Sequence, residues 1–218
     1  MFSKTTFWKY FEYTKDSVDI VYAAHQEKVL DVVRSKNEHE TGLNLAADGS
    51  CDSRGYSALI GKAVVADLAT KLVLHTEVLH RSETDNISGK MEVEGIRRMP
   101  RWIVQQGIRI NSLTTDRSRN IGAMLNEMRP ESGPITHFYD GWHLTPETGR
   151  YTRCSHRALK GSRPEIMVQN SKAFAKFRAV ILNHRFQGDL VKASPYGGTS
   201  VCEAKNALDR IYCRKEIF

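Results

Sequence analysis

No run of apolar residues approaches the ~18 that a membrane-spanning helix needs, so a membrane partner is not expected. The N-terminal stretch MFSKTTFWKYFEYTKDS is polar and mixed in charge, without the apolar segment of a secretory leader. Cysteine is scarce. Cys51, Cys154, Cys202 and Cys213 are the four present, and no two are spaced as a CxxC pair. With no export signal they are expected to be reduced thiols in the cytosol or nucleus. For the same reason the sequon Asn86-Ile87-Ser88 carries no expectation of glycosylation. Internal repeats and low-complexity tracts are also lacking.

What is there is an ordinary core-forming composition. The chain has 218 residues, 40% of them hydrophobic and 26% charged, enough for one sizeable α/β domain or at most two small ones. Eight Phe, eight Tyr and three Trp can anchor a core. Lys and Arg outnumber Asp and Glu by 32 to 25, a formal net charge of +7. Such a balance suits a polyanionic partner such as nucleic acid, and equally a solvated basic surface.

Periodicity divides the chain. Residues 3–37 have a rough amphipathic helical pattern, ended by the charged run from Arg34 to Glu40. Leu43 to Asp48 is short and apolar with the acid at its end. Tyr56–Asp67 and Lys71–Leu79 read as second and third strands, and the short turn between them predicts antiparallel neighbours. Helical spacing returns over 88–106, with Pro100 as a potential break. Ile108 to Leu113 predicts a fourth strand running out at Thr114-Thr115-Asp116. A helix with Ile121, Met124, Leu125 and Met128 on one face should stop before Pro130. Ile135–Tyr139 predicts a fifth strand ending at Asp140. Residues 144–170 lack periodicity. Helices are expected over Ser171–His184 and from Thr199, as cap, to about Tyr212. The order predicts an α/β fold with a mixed sheet and helices on its faces.

Three acids fall at chemically useful places: Asp48 after the first strand, Asp116 after the fourth and Glu203 in the first turn of the last helix. Sites assemble at strand ends and adjacent helix starts in α/β sheets. Carboxylates converging from distant segments suit Mg2+ or Mn2+, hard ions that take oxygen ligands. A pair of such ions can activate a water or a 3′-hydroxyl and stabilise the leaving oxygen of a phosphodiester. Each acid also has an ordinary explanation. Asp48-Gly49 is a turn dipeptide, Asp116 can cap the following helix, and Glu203 complements a helix dipole.

Longer motifs add to this. The run from Ala47 to Ala58, ADGSCDSRGYSA, resembles the DGRCDSPGHSA segment of a family of transposon-derived animal proteins. In the same order, Ser82-Glu83-Thr84 with Met91 to Gly95 resembles its SE…MELEG region. Leu113 to Arg117 resembles TTDRH, Phe138 to His143 resembles FDVWH, and Tyr151 to His156 resembles YTKCAH. Ser194 to Glu203, with Lys215, resembles SPFCHTGSLEV…PKR, and Ser3 to Phe7 looks like the start of the region. The family is similar to Mutator-like transposases with a ribonuclease H-like catalytic core, a five-stranded mixed sheet flanked by helices. The resemblance implies that Asp48, Asp116 and Glu203 are the metal-binding catalytic acids of a DDE site holding two Mg2+ or Mn2+ ions. It also implies that Asp140 and His143 form the Asp-x-x-His signature. His143 on its own reads as well as a core or surface histidine. Asp52 is an alternative first acid. Cys154 and His156 lack a second ligand pair, so zinc is not expected.

On this reading residues 1–42 are a helical lead-in and 43–143 the first part of the core. Residues 144–193 are the remnant of a helical insertion, and 194–218 carry the catalytic helix. The family has a long insertion before YTKCAH, whereas here only Leu144 to Arg150 stand between; SPFCHTG has become SPYGGTS, losing a His. No zinc-finger-type module precedes the core. These departures lead one to expect a fragment, a mispredicted gene or a decayed copy. The expected function is a nuclear transposase core that cleaves and joins DNA, with transposon ends and target as partners and a homo-oligomer as its assembly. Two alternatives stay open: a non-catalytic relic or domesticated DNA-binding or interaction protein, and a nuclease of the same fold.

Overall fold

The computed structural model describes residues 3–53, 57–141 and 171–212. Helix α1 spans Lys4–Lys36, with Ser3 accepting the Thr6 N–H at 3.1 Å as its N-cap. Three strands follow, β1 (Leu43–Cys51), β2 (Ile60–Asp67) and β3 (Val73–His80). Then come α2 (Met91–Gln105), β4 (Ile110–Thr115), α3 (Arg119–Glu127), the one-turn α4 (Arg129–Ser132) and β5 (Thr136–Tyr139). The last described elements are α5 (Lys172–Ile181), α6 (His184–Leu190) and α7 (Ser200–Tyr212).

The strands form one sheet in the order β3-β2-β1-β4-β5. β1, β2 and β3 pair antiparallel, whereas β4 runs parallel to both β1 and β5. The chain is thus an α/β protein with a five-stranded mixed sheet. Alternation along each strand sorts side chains between the two faces. Leu43, Leu45, Ala47, Ala63 and Val65 enter the larger core with Ile96, Met99, Ile103, Ile121, Met124 and the end of α1, Val29, Leu30 and Val33. Each fully buried Leu, Ile or Met there contributes about 1.5–3 kcal/mol. Ala46, Val64, Ala66 and Leu68 enter a smaller layer with Cys202 of α7. α2 and α3 therefore cover one face and α7 the other.

Several boundaries differ from the sequence expectations. β1 continues to Cys51 because the hairpin register pairs Asp48 with Val64 and Cys51 with Gly61. Asp48 is thus inside a strand rather than at its end. β3 begins at Val73, since Asp67 accepts the Thr70 N–H and hydroxyl at 2.8 and 2.7 Å and Lys71 takes a φ of 61° to close the turn. Pro100 does not interrupt α2, where it is buried. Pro130 opens a further helical turn, α4, because the first turn of a helix needs no proline N–H. The helix expected over Ser171–His184 ends at Ile181, and a second begins at His184. Asn183 accepts the N–H groups of Arg185 and Phe186 at 2.9 and 3.2 Å, capping a new helix.

Candidate active site

α7 sits on the sheet in a register that small residues permit. Ala46, Ala66 and the buried Cys202 leave room for close approach, and the Cys202 thiol donates to the Ala46 carbonyl at 3.4 Å. One helical turn on, Asn206 lies above the residue two places along β1. Four helix residues rise ~6 Å, close to the ~6.6 Å of two strand residues, so the registers match. The Asn206 side-chain amide donates to Asp48 Oδ2 at 2.7 Å. One turn further, Asp209 pairs with Lys62 of β2 and Lys205, whose Nζ is 2.5–2.6 Å from its carboxylate. Burial pushes the Asp209 carboxyl up, but these ammonium bonds outweigh it and hold it below the usual range.

Asp48 is the centre of the acidic cluster. Burial raises its pKa most; the Asn206 bond lowers it, and the fields of Asp116 and Glu203 raise it again. The two partners come from the end of β4 and the first turn of α7. A fourth acid joins them. Glu92, in the first turn of α2, is raised chiefly by burial and then by Asp48 and Asp116. It lies against β1 where Gly49 has no side chain: a Cβ there would stand 2.5 Å from Glu92 Cγ. Glu92 was not singled out as a site residue by sequence reasoning, nor was Asn206. Glu92 flanks the buried stripe of α2, whereas Asn206 lies within that of α7, one turn after Cys202, and these positions are the signals that could have found them.

The raised pKa of Glu92 yields a stability prediction. A carboxyl whose folded pKa lies above its unfolded value favours the fold when protonated. Its contribution is therefore lost as pH rises from the ordinary 4.5 through the raised folded value. Glu92→Gln should melt a few degrees above wild type at neutral pH, with the difference closing toward pH 4.5. Calorimetric melts across that range check this; a Gln variant that melts lower at neutral pH would sink it.

Asp116 is positioned by its backbone. The Thr115 hydroxyl donates to the Asp116 carbonyl at 2.8 Å, and the Ser118 N–H reaches the same oxygen at 2.6 Å. Thr115 has one hydroxyl proton, so it must accept from Nε2 of His137, 2.9 Å away, which places a proton on Nε2. Burial, with help from Lys192, pushes His137 down to about 4. A base with a depressed folded pKa costs stability as the unfolded state takes the proton. Stability should therefore fall as pH drops from 6.5 toward about 4. His137→Gln should flatten that part of the profile in urea titrations; an unchanged slope would contradict it.

Asp140, at the end of β5, is buried and faces α7 rather than solvent. Its Oδ2 accepts the Thr199 N–H and lies 2.8 Å from the Thr199 hydroxyl. The same hydroxyl is 3.0 Å from Glu203 Oε1, and its single proton serves one carboxylate at a time. Gly198 makes this fit possible, since a Cβ there would meet Asp140 Oδ2 at 2.6 Å. Asp140 thus anchors the start of the helix that carries Glu203. Its expected companion His143, and Cys154 and His156, lie outside the described residues. Asp52, the alternative first acid, accepts the Leu59 N–H at 3.2 Å and closes the β1–β2 hairpin.

By donor chemistry the cluster suits a hard divalent cation, because Asp48, Asp116, Glu203 and Glu92 offer carboxylate oxygens, and neutralisation would relieve the raised groups. Among the described residues no three His, Cys, Asp or Glu side chains stand in ligating geometry. Asp48 is held by Asn206, and Glu203 lies beside Thr199. Among the described residues, no helix is long and apolar enough to cross a membrane. No protein-family model matches the chain, and no curated protein or solved structure matches it.

Proposed function

We propose that this chain is a DDE-type transposase core of ribonuclease H-like architecture, acting on DNA in the nucleus. The observation that carries the reading is that the charges of Asp116, next after β4, and Glu203, of α7, both act on Asp48 of β1. The five-stranded mixed sheet agrees with the architecture that the sequence resemblance implies. Asp48, Asp116 and Glu203 would hold Mg2+ or Mn2+, with Glu92 beside them. The chemistry such ions would supply there is activation of a water or 3′-hydroxyl and stabilisation of the departing oxygen of a phosphodiester. Asn206 orients Asp48, the Thr115–His137 pair fixes the turn at Asp116, and Asp140 fixes the start of the Glu203 helix. The formal charge of +7 would attract the phosphate backbone.

Labelled duplex ends incubated with protein and Mn2+ test this reading. Cleaved ends joined to target DNA are expected; cleavage without joining would favour a nuclease of the same fold. Binding to duplex DNA should weaken roughly tenfold or more between about 50 and 200 mM salt, because phosphate contacts release counterions. A salt-independent affinity would count against DNA as the partner. The competing reading is a non-catalytic relic that binds DNA or protein. It is favoured by the exposed position of Glu203 and its contact with Thr199, away from ligating geometry. DNA binding with no metal-dependent turnover would establish it over the first.

A further inference from the structure

Helix α1 is far longer than the surface it packs on. At 1.5 Å per residue its 33 residues extend ~50 Å. Its buried residues, Val29, Leu30 and Val33, belong to the last third. Every residue from Phe7 to His25 is exposed. That arm carries Phe7, Trp8, Tyr10, Phe11, Tyr13, Val18, Ile20, Val21 and Tyr22, each between 48% and 71% exposed. A helix in water draws most of its stability from packing an apolar face, and among the described residues this aromatic-rich arm has no buried position before Val29. Single exposed apolar residues need no explanation, but a contiguous set of this size marks an interaction surface.

Charge identifies the occupant. Residues 4–15 carry Lys4, Lys9 and Lys15 against Glu12, a net of 3 − 1 = +2. Residues 16–27, just before Lys28, carry Asp16, Asp19 and Glu27 and no Lys or Arg, a net of −3. The helix is therefore self-complementary end to end. Two copies laid antiparallel put each basic half against the partner's acidic half, while a parallel pair sets like against like. Helix dipoles favour the same orientation. Phe7, Phe11, Val18 and Val21 recur at spacings of four, seven and three along one side, the pattern of a helix–helix seam. With aromatics burying 150–250 Å2 when fully covered, one side of each arm supplies on the order of 500 Å2. The pair then buries roughly 1,000 Å2, the lower bound for a specific interface.

We propose that α1 is a dimerisation arm, pairing antiparallel with α1 of a second copy about a two-fold axis near residues 15 and 16. The inference is independent of the catalytic reading. Sedimentation equilibrium on the full chain, from about 1 to 100 µM, tests it; micromolar association is expected of so small an interface. Wild type should dimerise and Phe11→Glu/Val18→Glu should be monomeric, with an unchanged melting transition for the sheet domain, since neither side chain is in the core. A second pair of variants addresses charge. Lys4→Glu/Lys9→Glu/Lys15→Glu alone and Asp16→Lys/Asp19→Lys/Glu27→Lys alone should each stay monomeric, and an equimolar mixture should dimerise. A monomeric wild type, a dimer that survives Phe11→Glu/Val18→Glu, or a mixture no better associated than its components would overturn the proposal.

Discussion

Asp116→Asn is expected to reduce Mn2+-dependent cleavage of duplex DNA by about 10^3-fold, equivalent to roughly 4 kcal/mol of transition-state stabilisation. The substitution keeps the side chain's size and removes its charge. The bonds that hold the turn, from the Thr115 hydroxyl and the Ser118 N–H, are made to the Asp116 carbonyl and survive it. Folding should therefore be preserved, and so should duplex binding, which rests on phosphate contacts with basic residues. Asp48→Asn should lose turnover similarly, and its remaining carbonyl oxygen can still accept from the Asn206 amide. A rate for Asp116→Asn equal to that of wild type, on DNA that both bind, would remove the catalytic claim and leave the DNA-binding relic.

The largest effect on stability is expected from Asp140→Ala. The change strands the Thr199 N–H in a buried site and removes the anchor of α7. Leaving such a donor unsatisfied costs about 1–3 kcal/mol. With the loss of the hydroxyl contact and the helix anchor, a total of about 2–4 kcal/mol follows, roughly 10 °C in melting temperature for a chain of this size. Asp140→Asn, which retains a carbonyl acceptor, should cost less. Gly198→Ala should mimic the defect from the other side, because its methyl would displace the Asp140 carboxylate. An Ala variant melting within about 1 °C of wild type would show that α7 is held by its apolar face alone. Both variants should also lose any activity that depends on Glu203, since the start of its helix is released.

Much of the fold is legible in the sequence because the sheet's two faces demand different residues. Leu43-Asn44-Leu45-Ala46-Ala47 and Ala63 to Ala66 are nearly continuous apolar runs, as strands covered on both sides must be. The extension of β1 through Gly49, Ser50 and Cys51 was hidden, since Asp48-Gly49 carries the signal of a turn and only pairing with β2 keeps it extended. The division between α5 and α6 was hidden for a similar reason. Asn183 sits within an otherwise helical pattern, and its side chain competes for the backbone N–H groups that follow.

The candidate site was legible in part. Asp48 and Asp116 stand out as acids next to apolar strands, and Glu203 as an acid in the first turn of the last helix. What no pattern reveals is which strand each helix lies over. That placement puts Glu92 against Gly49 and Asn206 on Asp48, so a glycine and two side chains that look like surface residues become one cluster. Asp140, read by resemblance as half of a signature, is seen to grip Thr199, a role set by the approach of β5 to the start of α7.

Titrating Mn2+ into the metal-free protein, and following the loss of the free-ion paramagnetic resonance signal, tests the central claim most directly. Saturable binding by wild type is expected, weakened by Glu92→Gln and lost in Asp48→Asn/Asp116→Asn, with circular dichroism unchanged in all three. No saturable binding by wild type, or equal binding by wild type and the double variant, would contradict a shared cation site at the meeting of β1, β4 and α7.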